Sequence, residues 1–266
     1  MNRKNSLFDT LVVKRTVATV SALLVIAIGC GAGIWQVGRA HDKIALAANL
    51  LVRQQMPILN ANSNPNSWSL EEASERRMIA RGKYIPESAI WLDNRPQPVP
   101  KGGVGATAQA GFYVMMPFRL DGREEVLWVN RGWAPRNPEN RETLPNIVTP
   151  AGIVNIEGIV FAHPGRVYTL GSEDPNVDIN KPRIAQNFDL QREERLHHWP
   201  QAPFILRLEE TGVADGLIRE WAPLTTGVDR HYAYAFQWFA LAFASFVFWL
   251  VVGLRQYWAK SAAHGD

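Results

Sequence analysis

Cysteine is almost missing from this chain: one residue, Cys30, so no disulfide can form within it. CxxC pairs, the CxxCH haem-attachment motif and a paired-cysteine copper site are excluded with it. Net charge is also nearly missing, at +3 over 266 residues, and it is scattered. No stretch sets basic residues among aromatics, so nucleic-acid binding has no footing. Nucleophile-elbow, P-loop and zinc-hydrolase patterns are absent, and no catalytic activity is expected.

The informative absence is of charge from two stretches, 16–38 and 232–254. Both exceed the ~18 residues that mark a spanning helix. A cleaved signal peptide would have a shorter apolar region, about 7–15 residues, before a small-residue cleavage site. Ala27-Ile28-Gly29-Cys30 faintly resembles a lipoprotein cleavage site, yet Ile34, Trp35 and Val37 carry the apolar run past it. Trp35 at one end of the first stretch, and Tyr257 and Trp258 beyond the second, suit the polar–apolar boundary of a bilayer.

These features predict a membrane-anchored α+β protein: two transmembrane helices flanking a mainly β, barrel- or sandwich-like soluble domain. The expected order is a cytoplasmic tail 1–15, a span 16–38, an extracytoplasmic domain 39–231, a second span 232–254 and a cytoplasmic tail 255–266. Arg3, Lys4, Lys14 and Arg15 against Asp9, and Arg255 and Lys260 against Asp266, favour both tails on the cytoplasmic side. Arg39, Lys43, Arg53, Arg219 and Arg230 reduce that bias from the other side. A mitochondrial presequence would be longer, richer in Arg and Ser and poorer in acids than residues 1–15, so a bacterial inner membrane is expected rather than the mitochondrial one. Gly29 and Gly33 form a GxxxG pattern, which lets helices approach closely in lipid. It has three readings: contact with the second span, contact with another membrane protein, or the general abundance of Gly in membrane helices.

Residues 41–55 lack Gly and Pro and predict a continuation of the first helix, stopped before Pro57. Residues 60–69 read as a loop. Strands are predicted over 77–84, 111–120, 125–130, 153–161 and 204–208, with Asp121-Gly122 as a hairpin turn. Pro- and Gly-rich turns cover 96–105, 135–150 and 164–182, and a short helix is predicted over 190–196. Met115-Met116 reads as core packing. His197-His198 reads as a solvated pair, and Glu71-Glu72, Glu124-Glu125 and Glu193-Glu194 as solvated charge pairs.

Three motifs in order carry a resemblance. Gly33-Ile34-Trp35-Gln36, with Arg39 and then Lys43, is similar to G-x-W-Q-x-x-R followed by Lys. Val129-Asn130-Arg131-Gly132-Trp133-Ala134-Pro135 is similar to V-N-R-G-W-x-P. His231-Tyr232-Ala233-Tyr234-Ala235-Phe236-Gln237-Trp238-Phe239 is similar to H-x-x-Y-A-x-Q-W-F. The chain thus resembles the SURF1 (Shy1) family, assembly factors for haem–copper cytochrome oxidases. It departs at Asp42, where an aromatic residue would be expected before the Lys.

The resemblance implies a non-catalytic part in placing or sheltering haem a as oxidase subunit I matures, with subunit I, other oxidase assembly factors and the membrane as partners. It also implies His231 as candidate ligand of the haem iron. With antiparallel spans, Trp35, Gln36 and Arg39 come level with His231, Tyr234 and Trp238, and the last three share a helix face. Imidazole is a common axial ligand, Trp and Tyr offer flat apolar surfaces, and Arg39, Lys43 or Arg230 would match propionates. The same residue types are ordinary interfacial anchors. An oxidase scaffold that binds no haem, and an extracytoplasmic ligand-binding module, are the alternatives.

In the central motif, residues 130–133 are expected to close a strand. Gly132 would adopt positive φ, Trp133 would pack, Pro135 would stop the pairing, and Arg131 would hold a buried carboxylate or face a partner.

Overall fold

The computed structural model describes residues 13–63, 68–98, 109–140, 142–168, 177–209, 214–221 and 227–262. Residues 1–12 and 263–266 of the two tails, 99–105 and 169–176 of the turns at 96–105 and 164–182, and 64–67 of the 60–69 loop lie outside the described residues. Two compact units are present: one comprises Met1–Ala48 and Leu224–Asp266, the other Asn49–Pro223.

The first unit is a helix pair. After a 3-10 turn at Val13–Arg15, α1 runs unbroken over Thr16–Gln55. The predicted continuation through 41–55 is there, and the helix stops two residues before Pro57. The C-terminal helix of the chain, Val228–Ala262, is its antiparallel mate. Both are long and apolar enough to cross a membrane. A core helix of a soluble protein would bury its large side chains. Here Val17, Phe236, Phe243 and Phe248 are 82, 73, 68 and 71 % exposed, which suits a lipid surround.

Contacts between the two helices run along their length. Arg15 donates to the Trp249 carbonyl at 3.1 Å, and the Trp249 indole donates to Thr19 Oγ1 at 3.0 Å. Farther along, Gly29 lies against Ala242 and the Trp238 carbonyl, and Gly33 lies under the Phe239 ring. Of the three readings of GxxxG, the structure selects contact with the second span: the missing side chains make room for its backbone and ring.

The second unit is built on one eight-stranded sheet. Its strands are β1 (Leu59–Asn60), β2 (Arg77–Tyr84), β3 (Ile90–Pro96), β4 (Ala110–Leu120), β5 (Val126–Pro135), β6 (Val154–Phe161), β7 (Arg183–Ala185) and β8 (Gln201–Leu208). The order is β1-β2-β6-β8-β5-β4-β3-β7, and an extra β2–β4 pairing closes β2, β6, β8, β5 and β4 into a five-stranded barrel. Between the two shapes allowed by the sequence, barrel and sandwich, the ring decides for the barrel.

Period-2 patterning explains why the ring forms. In β2 burial alternates strictly, with Met78, Ala80, Gly82 and Tyr84 inward. Nearly every residue of β5 is buried, because it is covered on both faces. Leu127 and Val129 join Phe112, Met116, Phe118 and Leu206 in the main core. Trp128 points the other way, to Ile90, Met115, Phe188 and Ile205. Adjacent Met115 and Met116 therefore fill opposite cores. Two short helices complete the unit: α2 (Leu70–Ala73), opened by a Ser69–Glu72 capping box, and α3 (Leu190–His197), capped by Asp189. The C-terminal helix is then α4.

Residues 130–133 do not close a strand. They form a bulge, and β5 continues to Pro135, its Trp133 and Ala134 pairing with Tyr113 and Phe112 of β4. Gly132 sits in the bulge at φ +139, as its place in the motif predicted. The strands β1, β3 and β7 had no signal: β1 and β7 have two and three residues, and β3 ends in the turn-like Asp93-Asn94-Arg95-Pro96.

Two of the solvated pairs are corrected. Glu193 and His197 are buried, at 3 and 9 % exposure, because they share one face of α3 a turn apart and that face meets the second core. Arg183 donates to Glu193 at 2.5 Å, and His197 stacks on Trp199 with ring centroids 4.0 Å apart. Burial alone would raise the Glu193 pKa; His197 and Arg183 reverse that and hold it below its ordinary value.

Candidate functional site

Within the helix pair, the first turn of α4 places His231 level with Gln36 of α1. His231 Nδ1 lies 2.8 Å from Gln36 Oε1. With the amide oxygen as acceptor, Nδ1 carries the ring proton and Nε2 keeps its lone pair. That is the tautomer of a metal-binding imidazole oriented by a neighbour. The donor set therefore fits an axial haem ligand.

The other candidate residues flank this pair on exposed surface. Trp35 is 61 % exposed, Tyr234 50 % and Trp238 36 %. Arg39 lies 3.6 Å from Asp42, one turn on, both solvent-facing. Asp42, the departure from the family pattern, is thus the partner of a motif arginine. The structure brings His231 and Gln36 into direct contact, and leaves the aromatic faces open along the helices.

A second site lies within the sheet unit, around the central motif. A cavity of about 590 Å³ has Arg131, Asp215, Arg219 and Tyr84 in its lining. Arg131 is 2 % exposed, Asp215 5 % and Arg219 3 %. Arg131 donates to Asp215 Oδ2 at 3.0 Å, to Thr149 Oγ1 at 2.6 Å and to the Val148 carbonyl at 2.8 Å. Arg219 bonds the same Asp215 oxygen and donates to the Arg131 carbonyl at 2.6 Å. The carboxylate that Arg131 was expected to hold is Asp215. A guanidinium carbon 4.8 Å above the Tyr84 ring adds a cation–π contact. Burial pushes the Tyr84 phenol up to about 12, against the pull of Arg131 and Arg219.

With this geometry in view, kinship can be assigned. The model of the SURF1 family matches residues 23–243. The chain belongs to the SURF1 family. The match runs from within α1 to within α4 and takes in the whole sheet unit. Similar proteins include a SURF1-like protein of Caenorhabditis briggsae, 24% identical over 235 residues, covering 82% of this chain and 69% of that one. A SURF1-like protein of Caenorhabditis elegans is 23% identical over 252 residues, covering 90 and 74%. Surfeit locus protein 1 of Homo sapiens is 29% identical over 127 residues, covering 46 and 42%.

Sequence reasoning missed Asp215 and Arg219 as members of a site. They stand in a short polar segment with no periodicity. Their role depends on Ile218 bridging to Trp133, which brings the segment alongside the bulge.

Proposed function

We propose that this SURF1-family protein assists the assembly of haem–copper cytochrome oxidase by presenting or sheltering haem a at His231 while subunit I matures. The observation that supports this most is the His231–Gln36 contact at 2.8 Å; with Gln36 as the acceptor, Nε2 is the nitrogen that would bind iron. Haem a is here a cargo, and the chain's own part is to orient one imidazole and offer Trp35, Tyr234 and Trp238 as flat apolar surfaces beside it. In this reading a propionate would be met by Arg39, which otherwise pairs with Asp42. Subunit I and other oxidase assembly factors are the expected partners. In the same reading the protein sits in a bacterial inner membrane, both tails cytoplasmic and residues 39–231 periplasmic. The basic residues Lys14, Arg15, Arg255 and Lys260 support that orientation.

A scaffold that touches subunit I without haem is the second reading, favoured by the exposure of Trp35 and Tyr234 on the helix surfaces. One preparation separates the two. Protein purified from cells that make haem a should show a Soret band, and His231→Ala should lose it. A preparation without any band, still co-purifying subunit I, would establish the scaffold instead.

A further inference from the structure

Among the described residues, the buried charges around the sheet-unit cavity do not balance. Arg131 and Arg219 bring two guanidiniums to the single carboxylate of Asp215. Arg131 Nε and Arg219 Nη1 have no hydrogen-bond partner among the described residues. Uncompensated positive charge away from water is costly unless an anion joins it. The remaining charged lining residues offer no compensation, since Arg81 is paired with Asp121 and Glu157 with Arg77. The walls are of another character: Ile79, Val154, Ile156 and Leu208 contribute apolar surface. A volume of about 590 Å³ lies within the ~300–1,000 Å³ typical of small-molecule sites.

We propose that this cavity binds an alkyl-chain carboxylate, its head group beside Arg131 and Arg219 and its hydrocarbon chain against Val154, Ile156 and Leu208. A single negative charge matches the single excess positive charge, and guanidinium forks suit a carboxylate. Tyr84, kept neutral by burial, adds a hydroxyl to the lining without adding repulsion. The proposal is independent of His231 and of haem.

The test uses the full chain in nanodiscs of zwitterionic phosphatidylcholine, titrated with decanoate carrying a ¹³C-labelled carboxyl group. Saturable binding above that of empty discs is expected. Ile156→Trp, which fills the cavity from a half-buried position paired with the inward Ala80, should abolish it. Arg219→Gln should weaken it about tenfold or more, the scale of a lost charge-assisted hydrogen bond. Decyltrimethylammonium should show no such excess, and acetate should bind far more weakly than decanoate. The proposal is overturned if decanoate gives no excess over empty discs, if Ile156→Trp binds as the parent does, or if acetate binds equally well. Should either variant fail to fold, the comparison of decanoate with acetate still decides.

Discussion

Gly33 and Phe239 touch so closely that a β-carbon at position 33 would come within 2.5 Å of the phenylalanine ring. A larger side chain there must displace the Phe239 ring or push the helices apart. Gly33→Leu is expected to separate α1 from α4, whereas Gly31→Leu, facing open space, should not. Cysteine cross-linking between positions 36 and 231 in membranes would report it. Efficient cross-linking in the Gly33→Leu background would refute the packing role.

Gln36 orients His231, so its loss should change the imidazole without removing it. In Gln36→Leu the hydrogen bond to Nδ1 is gone, and the neighbouring-group effect on a metal ligand is on the order of 10–100-fold in affinity. A Soret band retained but weakened is expected, intermediate between the parent and His231→Ala. A band of full intensity at limiting haem would count against the orienting role.

Glu193 has a folded pKa below its ordinary value of 4.5. Its ionised form is therefore favoured by folding. The stabilisation is complete above the ordinary value and is lost as pH falls through the folded one. Glu193→Gln should cost roughly 3 kcal/mol near neutrality, because the partly buried Arg183 is left opposite a neutral group. The gap in melting temperature from the parent should close progressively below pH 4.5. A gap that stays constant down to pH 3 would mean that the charge contributes nothing.

Gly132 holds φ +139 in the β5 bulge, and a β-carbon there would lie 3.0 Å from both the Ile218 carbonyl and Leu217. Gly132→Ala is expected to destabilise the sheet unit by about 1–3 kcal/mol. Loosening the Trp133–Ile218 bridge should also expose the Trp133 indole. Thermal melts with tryptophan fluorescence would show a lower midpoint and a red-shifted native spectrum. An unchanged midpoint would place the strain elsewhere.

What was readable in the sequence follows from what leaves a periodic trace. Absence of charge marked both helices, and strict alternation marked β2. Asp121-Gly122 marked the hairpin between β4 and β5. Gln36 and His231 were legible as neighbours because antiparallel spans force them level. Glu193 and His197 were misread because a polar face looks solvated until something covers it, and only the fold puts the second core there. Asp215 and Arg219 left no trace, since a residue that answers Arg131 from 84 positions away has no local pattern to betray it.

Ring closure also limits how other chains can approach. The sheet ends on β1 and β7, with two and three residues apiece. Neither offers the length of unpaired backbone that an incoming strand would need to extend the sheet. Among the described residues, the two end strands of the sheet therefore give strand addition little to hold, and side chains and loops are left as the means of association.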